Sequence, residues 1–196
     1  VTWEERLQPS SGHGVTTAVM GNCGIGFAPC RKEDHLGLIK LMEGVEDLPE
    51  PVLAAGIPWA WISFPEYLNF LAGRRYDIDF GAQLPHAALR VFAMGQRGID
   101  REPANADDLA LMAALAGEAM QAGAIGFSTS RSLNHRASDG RPTPTLTASE
   151  DELTAIAGAM GKVGQGVIEI ASDFADLEDE CAMWRRVVKS SGRPLS

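Results

Sequence analysis

A short apolar run that leads into a glycine-rich turn, within residues 12–29, constrains the fold of this chain most. Residues 15–20 are apolar and β-branched and carry no charge, which predicts a buried strand that is covered on both faces. Gly21, Gly24 and Gly26 follow and permit backbone angles that larger residues resist. Cys23 is therefore predicted to lie at the C-terminal end of a strand, where α/β folds place their chemistry.

The composition is that of a globular protein and argues against two classes of partner. Of the 196 residues, 45% are hydrophobic and 22% are charged, which argues against disorder. The formal net charge of -9 disfavours binding to a nucleic-acid backbone or to an anionic membrane surface. No apolar run approaches the roughly 20 residues of a membrane span. We therefore predict neither a nucleic-acid nor a membrane partner.

The three cysteines are widely spaced and odd in number, which does not suit a disulfide framework. This usage favours a reducing compartment and predicts a cytoplasmic protein. Cys30 and Cys181 are predicted to be structural, which leaves Cys23 as the candidate with a chemical role.

The later part of the chain alternates strands and helices. We predict strands over residues 15–20, 79–85, 124–128 and 167–171, with another starting at 194–196. Helices are predicted over residues 105–122, from a capping box at 147–150, and after a cap at Asp173. This alternation predicts a parallel sheet with covering helices. Long loops after the strands and short loops before them favour a β/α barrel over a doubly wound sheet.

The predicted fold is therefore α/β, part of a (β/α)8 TIM barrel with about four to five βα units. We treat residues 1–196 as a single domain with a loop insertion at about 30–72. Eight strands make a complete barrel, so this count predicts the middle of a larger protein.

Four residues after predicted strands are candidates for substrate binding. His86 follows a strand and could hydrogen-bond a substrate carbonyl, or could be satisfied by a backbone carbonyl instead. Arg90 could bind a substrate carboxylate through its planar fork, or could form a structural ion pair. Arg131 and His135 lie in a long polar loop after a strand, where pocket residues are common.

Seven stretches of the chain resemble the N-acyl-D-amino-acid deacylase (D-aminoacylase-like) branch of the amidohydrolase superfamily. They are GHGVTT (12–17), MGNCG (20–24), FAP (27–29), LMEGVED (41–47), FPEYL (64–68), HAALR (86–90) and AGAIGFSTSR (122–131). The Gly-Asn-Cys-Gly turn is the most specific of them. The resemblance implies an amidohydrolase-like (β/α)8 barrel, a metal-dependent hydrolysis of an amide bond, and Cys23 as a zinc ligand.

The chain departs from that branch on its fifth barrel strand. The family histidine there would fall near Ala171, and no histidine stands at that position. Glu169 and Asp173 are the nearby groups with ligand chemistry. Zinc is therefore expected in the full-length protein, with an incomplete ligand set in this chain.

The function implied by the resemblance is hydrolysis of the amide bond of an N-acyl (D-)amino acid or a similar amide. One alternative is a non-catalytic structural or assembly module derived from an amidohydrolase barrel. A third is a related hydrolase acting on a cyclic amide or lactone. The partner expected for an enzyme is a small-molecule N-acyl amino acid or amide, and the sequence leaves homo-oligomerisation open.

Overall fold

Four parallel strands and the helices between them make up the structure, a computed structural model that describes residues 2–196. The strands are β1 (Thr17–Met20), β2 (Asp79–Pro85), β3 (Gly126–Arg131) and β4 (Val167–Ser172). They form one sheet in the order β1-β2-β3-β4, with every pair parallel. A sequential parallel order without a switch point is that of a barrel wall, whereas a doubly wound sheet reverses its order at a crevice.

Within residues 2–196, eight helices connect and cover these strands. They are α1 (His35–Glu46), α2 (Glu50–Gly56), α3 (Phe64–Ala72), α4 (His86–Met94), α5 (Gln96–Ile99), α6 (Ala106–Gln121), α7 (Glu150–Val163) and α8 (Leu177–Ser191). Asn105 caps α6 through a capping box with Asp108. The acidic residues of the first turn also favour a helix start at this point. The bounds predicted for α6 and β2 are confirmed.

The main hydrophobic core lies between the sheet and the helices that cover its outer face. Leu84, Phe127 and Ile168 come from three neighbouring strands, and all are fully buried. They pack in one cluster with Met112 of α6 and Ile156 of α7. Because side chains alternate along a strand, the intervening residues of β2 to β4 face the opposite, inner side. The inner side is where the cysteine turn lies.

The first strand is correctly located, but the prediction that it is covered on both faces is wrong. Val19 is 50% exposed, and the burial along β1 alternates between exposed and half-buried. β1 lies at one edge of the sheet, where β2 is its sole strand neighbour among the described residues. An apolar sequence sets the strand, but the tertiary neighbours decide its burial.

The segment at about 30–72 is mostly helical rather than loop. α2 forms across Pro51, which occupies a tolerated position in its first turn. The sequence predicted helices close to α1 and α3 but no regular structure around Pro51. No helix was predicted at α4, where His86 directly follows the last strand residue. The division of the chain into one domain with this insertion stays a prediction.

Two predicted helix caps lie elsewhere. Ser149 caps α7 by accepting a hydrogen bond from the amide of Glu152, two residues after the start of the predicted box. Asp176, and not Asp173, caps α8. The carboxylate of Asp173 instead accepts hydrogen bonds from Ser132 and Leu133 in the loop after β3.

The three cysteines are all free, as their spacing predicted. Cys30 is buried, and that burial raises the pKa of its thiol to about 12, which suits the structural role predicted for it. None of the helices within residues 2–196 has the length and apolar character needed to cross a bilayer.

Candidate active site

The turn Asn22–Gly24 is a single 3-10 turn at the C-terminal end of β1. Gly21 and Gly24 both have positive φ, at 89° and 73°, as a chain that reverses this tightly requires. Cys23 shares the left-handed region with φ 62°, which a non-glycine residue adopts at a cost of about 1–3 kcal/mol. The fold therefore holds Cys23 in an unfavourable backbone conformation.

Close approach to the neighbouring strands is a second reason for the glycines. A Cβ atom at Gly24 would lie 2.8 Å from the Cα of Thr129 on β3, and one at Gly21 would lie 2.6 Å from the carbonyl oxygen of Gln83 on β2. The turn thus rests directly on the backbone of two strands. Any larger residue at either position would push the turn, and Cys23 with it, away from the sheet.

Ser128 of β3 holds the turn in place through two hydrogen bonds. Its hydroxyl donates a short hydrogen bond to the carbonyl oxygen of Gly21 and accepts one from the amide of Gly24 at 3.2 Å. The side chain is fully buried, so these bonds satisfy polar groups that water does not reach.

Glu169 approaches the turn from β4. Its Oε2 accepts a hydrogen bond from the amide of Cys23 at 3.2 Å. Glu169 is the register partner of Ser128, so both side chains lie on the same face of the sheet. The carboxylate therefore points at the cysteine turn, whereas Asp173 contacts only the loop after β3.

The electrostatics of this pair follow from its partial burial. Burial raises the pKa of Glu169, and the hydrogen bond from the Cys23 amide offsets part of that rise. Burial also raises the pKa of the Cys23 thiol, as do the nearby charges of Glu169 and Glu46. Two groups that can become anions thus stand side by side with no cationic side chain bonded to either in the described residues.

The donor chemistry of this corner fits zinc in part. A cysteine thiolate and a glutamate carboxylate are both zinc ligands, and zinc takes about four. Within residues 2–196 no group of three or more His, Cys, Asp or Glu side chains converges closely enough to hold a metal. Cys23 and Glu169 could therefore supply two of the donors that such a centre needs.

Arg131 and His135 lie at the same end of the sheet, but the predicted loop position holds for His135 alone, because Arg131 is the last residue of β3. The Arg131 guanidinium pairs with Glu180 at 3.0 Å and donates to the carbonyl of Ala148. Arg131 also lines a cavity of about 380 Å³. Nδ1 of His135 lies 2.7 Å from the hydroxyl of Ser130. Their predicted contact with substrate stays a prediction.

His86 and Arg90 occupy a different place from the one predicted. They are 0% and 1% exposed, and both bond to Oε1 of Glu152, at 2.8 and 2.9 Å. The second nitrogen of His86 lies 2.8 Å from the hydroxyl of Thr129. A substrate has no access to either side chain, so the structural ion pair accounts for Arg90 and a buried hydrogen-bond network accounts for His86.

Two residues of this region, Ser128 and Glu152, were not recognised in the sequence, whereas Glu169 was named there as a group with ligand chemistry. The position of Ser128 and Glu169 on one face could have been found from strand alternation, because adjacent parallel strands in register present both. Glu152 gave no such signal, since an acidic residue in the first turn of a helix usually faces solvent.

Comparison with known proteins identifies the family of this chain. The sequence profile of the amidohydrolase family matches residues 1–196. The chain belongs to the amidohydrolase family. Over 125 residues this amidohydrolase is 32% identical to the N-acyl-D-aspartate deacylase of Alcaligenes xylosoxydans xylosoxydans, and over 123 residues it is 32% identical to the D-aminoacylase of the same organism. Each match covers 63% of this chain and 22% of the relative, so the chain spans about a fifth of the relatives' length.

Solved structures confirm the partial barrel. A D-aminoacylase described as having a binuclear metal centre superposes with a TM-score of 0.71 and 26% identity, over 95% of this chain and 35% of that one. The N-acyl-D-glutamate deacylase of Bordetella bronchiseptica, solved with zinc and a phosphonate inhibitor, gives a TM-score of 0.67 at 21% identity and bears on the fold alone. The resemblance to the deacylase branch and the predicted part of a TIM barrel are both confirmed.

Proposed function

We propose that this amidohydrolase contributes the cysteine-bearing edge of a metal centre in an enzyme that hydrolyses the amide bond of an N-acyl amino acid. The observation that carries the proposal is the placement of Cys23. A strained turn, fixed to three strands through Gly21, Gly24, Ser128 and Glu169, presents this one thiol at the C-terminal end of the sheet. The relatives named as deacylases of N-acylated D-amino acids supply the substrate class.

The residues of the chain have separate tasks in this proposal. Cys23 would hold zinc, which when bound supplies Lewis acidity and an activated water. Arg131 would bind the carboxylate of the amino-acid part of the substrate, because its planar fork matches a carboxylate. His135 would hydrogen-bond the substrate from the same loop, where its Nδ1 is already fixed by Ser130.

Metal content and turnover together test the proposal. The purified protein would be loaded with zinc, dialysed and analysed for bound metal, then assayed for release of amino acid from N-acetyl-D- and N-acetyl-L-amino acids. We expect Cys23→Ala to lose zinc and turnover together. Cys181→Ala, which removes a cysteine on α8, is the matched control and should keep both. Zinc content that is unchanged in Cys23→Ala would overturn the proposal.

A second candidate function is a non-catalytic structural or assembly module. It is favoured by the observation that residues 2–196 bring no three metal-binding side chains together, and by the lack of a histidine near Ala171, where the resemblance to the deacylase branch places one. The same metal analysis separates the two candidates. A protein that keeps its fold and binds no zinc under these conditions would support the module.

A further inference from the structure

We propose that the carboxylate of Glu169 is a direct metal ligand beside Cys23, in place of the histidine that the family carries two residues later on the same strand. This inference rests on the proposed function and adds a residue to it. It assigns to β4 a hard oxygen donor and to the turn after β1 a soft sulfur donor, both acting on one ion.

The backbone fixes the two donors next to each other. Glu169 lies in register with Ser128, and Ser128 is bonded to Gly21 and Gly24, the glycines before Asn22 and after Cys23. Glu169 is itself 3.2 Å from the Cys23 amide nitrogen. These bonds hold the backbone of the turn against β3 and place the Glu169 carboxylate of β4 at the Cys23 amide.

Part of the Glu169 carboxylate has no hydrogen-bond donor among residues 2–196. The Cys23 amide bonds to Oε2, and among residues 2–196 no other donor is bonded to this side chain. Asp173, the other acidic residue near the end of β4, accepts bonds from Ser132 at 2.6 Å and from Leu133 at 2.7 Å. Glu169 is therefore the carboxylate that reaches the backbone of Cys23 and still has lone pairs to offer.

The charges of this corner also favour a cation. Glu169 accepts a hydrogen bond from the Cys23 amide, so its carboxylate lies close to the cysteine in a partly buried corner. A divalent cation bound by both side chains would supply the positive charge that this corner lacks. No arginine, lysine or histidine side chain is bonded to either group in the described part of the chain, so a bound metal is the counter-ion that this arrangement suits.

Protection of Cys23 from alkylation by added zinc tests the inference without relying on turnover. A Cys181→Ala background leaves Cys23 as the accessible thiol, because Cys30 is buried, and peptide mass spectrometry would confirm the modified site. Glu169→Gln is the test variant, since the amide oxygen can still accept the bond from the Cys23 amide. Glu118→Gln is the matched control, with the same charge change on the exposed face of α6.

We expect Glu169→Gln to raise the zinc concentration for half-maximal protection by about tenfold or more, since even the partners that orient metal ligands are worth about 10- to 100-fold in affinity. The visible absorption of the cobalt-loaded protein should change as well, because a lost oxygen donor alters the coordination geometry. Glu118→Gln should match the parent in both measurements. Far-UV circular dichroism and urea midpoints would confirm that the variants are folded.

The outcomes separate the inference from the proposed function. Unchanged zinc protection and an unchanged cobalt spectrum in Glu169→Gln would overturn the role of Glu169 and leave the metal at Cys23 standing. Absence of zinc protection in the parent protein itself would overturn both. Protection that is lost equally in Glu118→Gln would show a general charge effect and would also overturn the role of Glu169.

Discussion

Nε2 of His86 lies 2.8 Å from Oε1 of Glu152, and neither side chain has meaningful contact with solvent. Arg90 donates to the same oxygen at 2.9 Å and also reaches the carbonyl of Pro144. Because His86 and Arg90 lie on α4 and Glu152 lies on α7, the network joins two helices through one carboxylate. Through Thr129 it also reaches β3, the strand on which the cysteine turn rests.

The first prediction concerns the stability of this network. Glu152→Gln should destabilise the protein by about 3–5 kcal/mol, because it leaves the buried Arg90 guanidinium without its negative partner. Urea unfolding followed by circular dichroism measures the change, with Glu118→Gln as a surface control expected to stay within about 0.5 kcal/mol. A loss below about 1 kcal/mol in Glu152→Gln would mean that the carbonyl oxygens around Arg90 stabilise it without the carboxylate.

The second prediction concerns the pH dependence of that same stability. Burial by itself would raise the pKa of Glu152, but the hydrogen bonds and charges of His86 and Arg90 outweigh it and lower the pKa. A carboxyl with a lowered folded-state pKa stabilises the protein above its unfolded value, near 4.5, and loses this contribution as the pH falls through the folded value. The difference in unfolding free energy between parent and Glu152→Gln should therefore shrink from pH 7 towards pH 3. A difference that is constant over that range contradicts the assignment.

Much of the fold is present in local sequence signals. β2 and α6 follow directly from an alternating apolar run and from a capping residue with an acidic first turn, and the structure reproduces both. The burial of β1 does not follow, because a sheet edge is a property of the assembled fold. Pro51 led to the opposite error. No helix was predicted around it, although a proline in the first turn is compatible with a helix.

The candidate site was also predictable from the sequence only in part. The glycine spacing locates Cys23, because tight turns impose their requirements on neighbouring residues. Glu152 bonds to a partner 66 residues away in sequence and Glu169 to one 146 residues away, so no local pattern shows either contact. Substrate binding stayed open for His86 and Arg90 for the same reason, since their buried carboxylate partner lies on a later helix.

The third prediction tests why the turn contains Gly24. Gly24→Ala should cost more than the strain of positive φ alone, because the new methyl group would meet the backbone of β3. Gly140→Ala is the matched control, since Gly140 has φ 84° and no heavy atom near the position of a Cβ. We expect about 1–2 kcal/mol for the control and about 1–3 kcal/mol more for Gly24→Ala, measured as unfolding free energies in urea. Equal losses would show that the close approach to β3 carries no cost.

The fourth prediction concerns the thiols. Cys30 is buried and has a pKa of about 12, so little of it is thiolate at neutral pH and reagents lack access to it. Cys181 is partly exposed beside an apolar groove on α8. In the native protein at pH 8, Cys181 should therefore react with iodoacetamide at least about tenfold faster than Cys30, and both should react alike in 6 M guanidinium. Rapid labelling of native Cys30 would contradict its burial.

The last prediction tests Arg131 as the group that binds a substrate carboxylate. Arg131→Met should lower kcat/KM for an N-acyl amino acid by about 10- to 100-fold, since a hydrogen bond to a charged group is worth about 1.5–3 kcal/mol. Arg186→Met is the matched control, because Arg186 also pairs with a glutamate, Glu150, on the surface. Both pairs are partly exposed, so each substitution should change stability by at most about 1 kcal/mol. Turnover of the matching N-acyl amine, which lacks the carboxylate, should be insensitive to Arg131→Met. An equal loss on both substrates, or an equal loss in Arg186→Met, would remove Arg131 from the binding site.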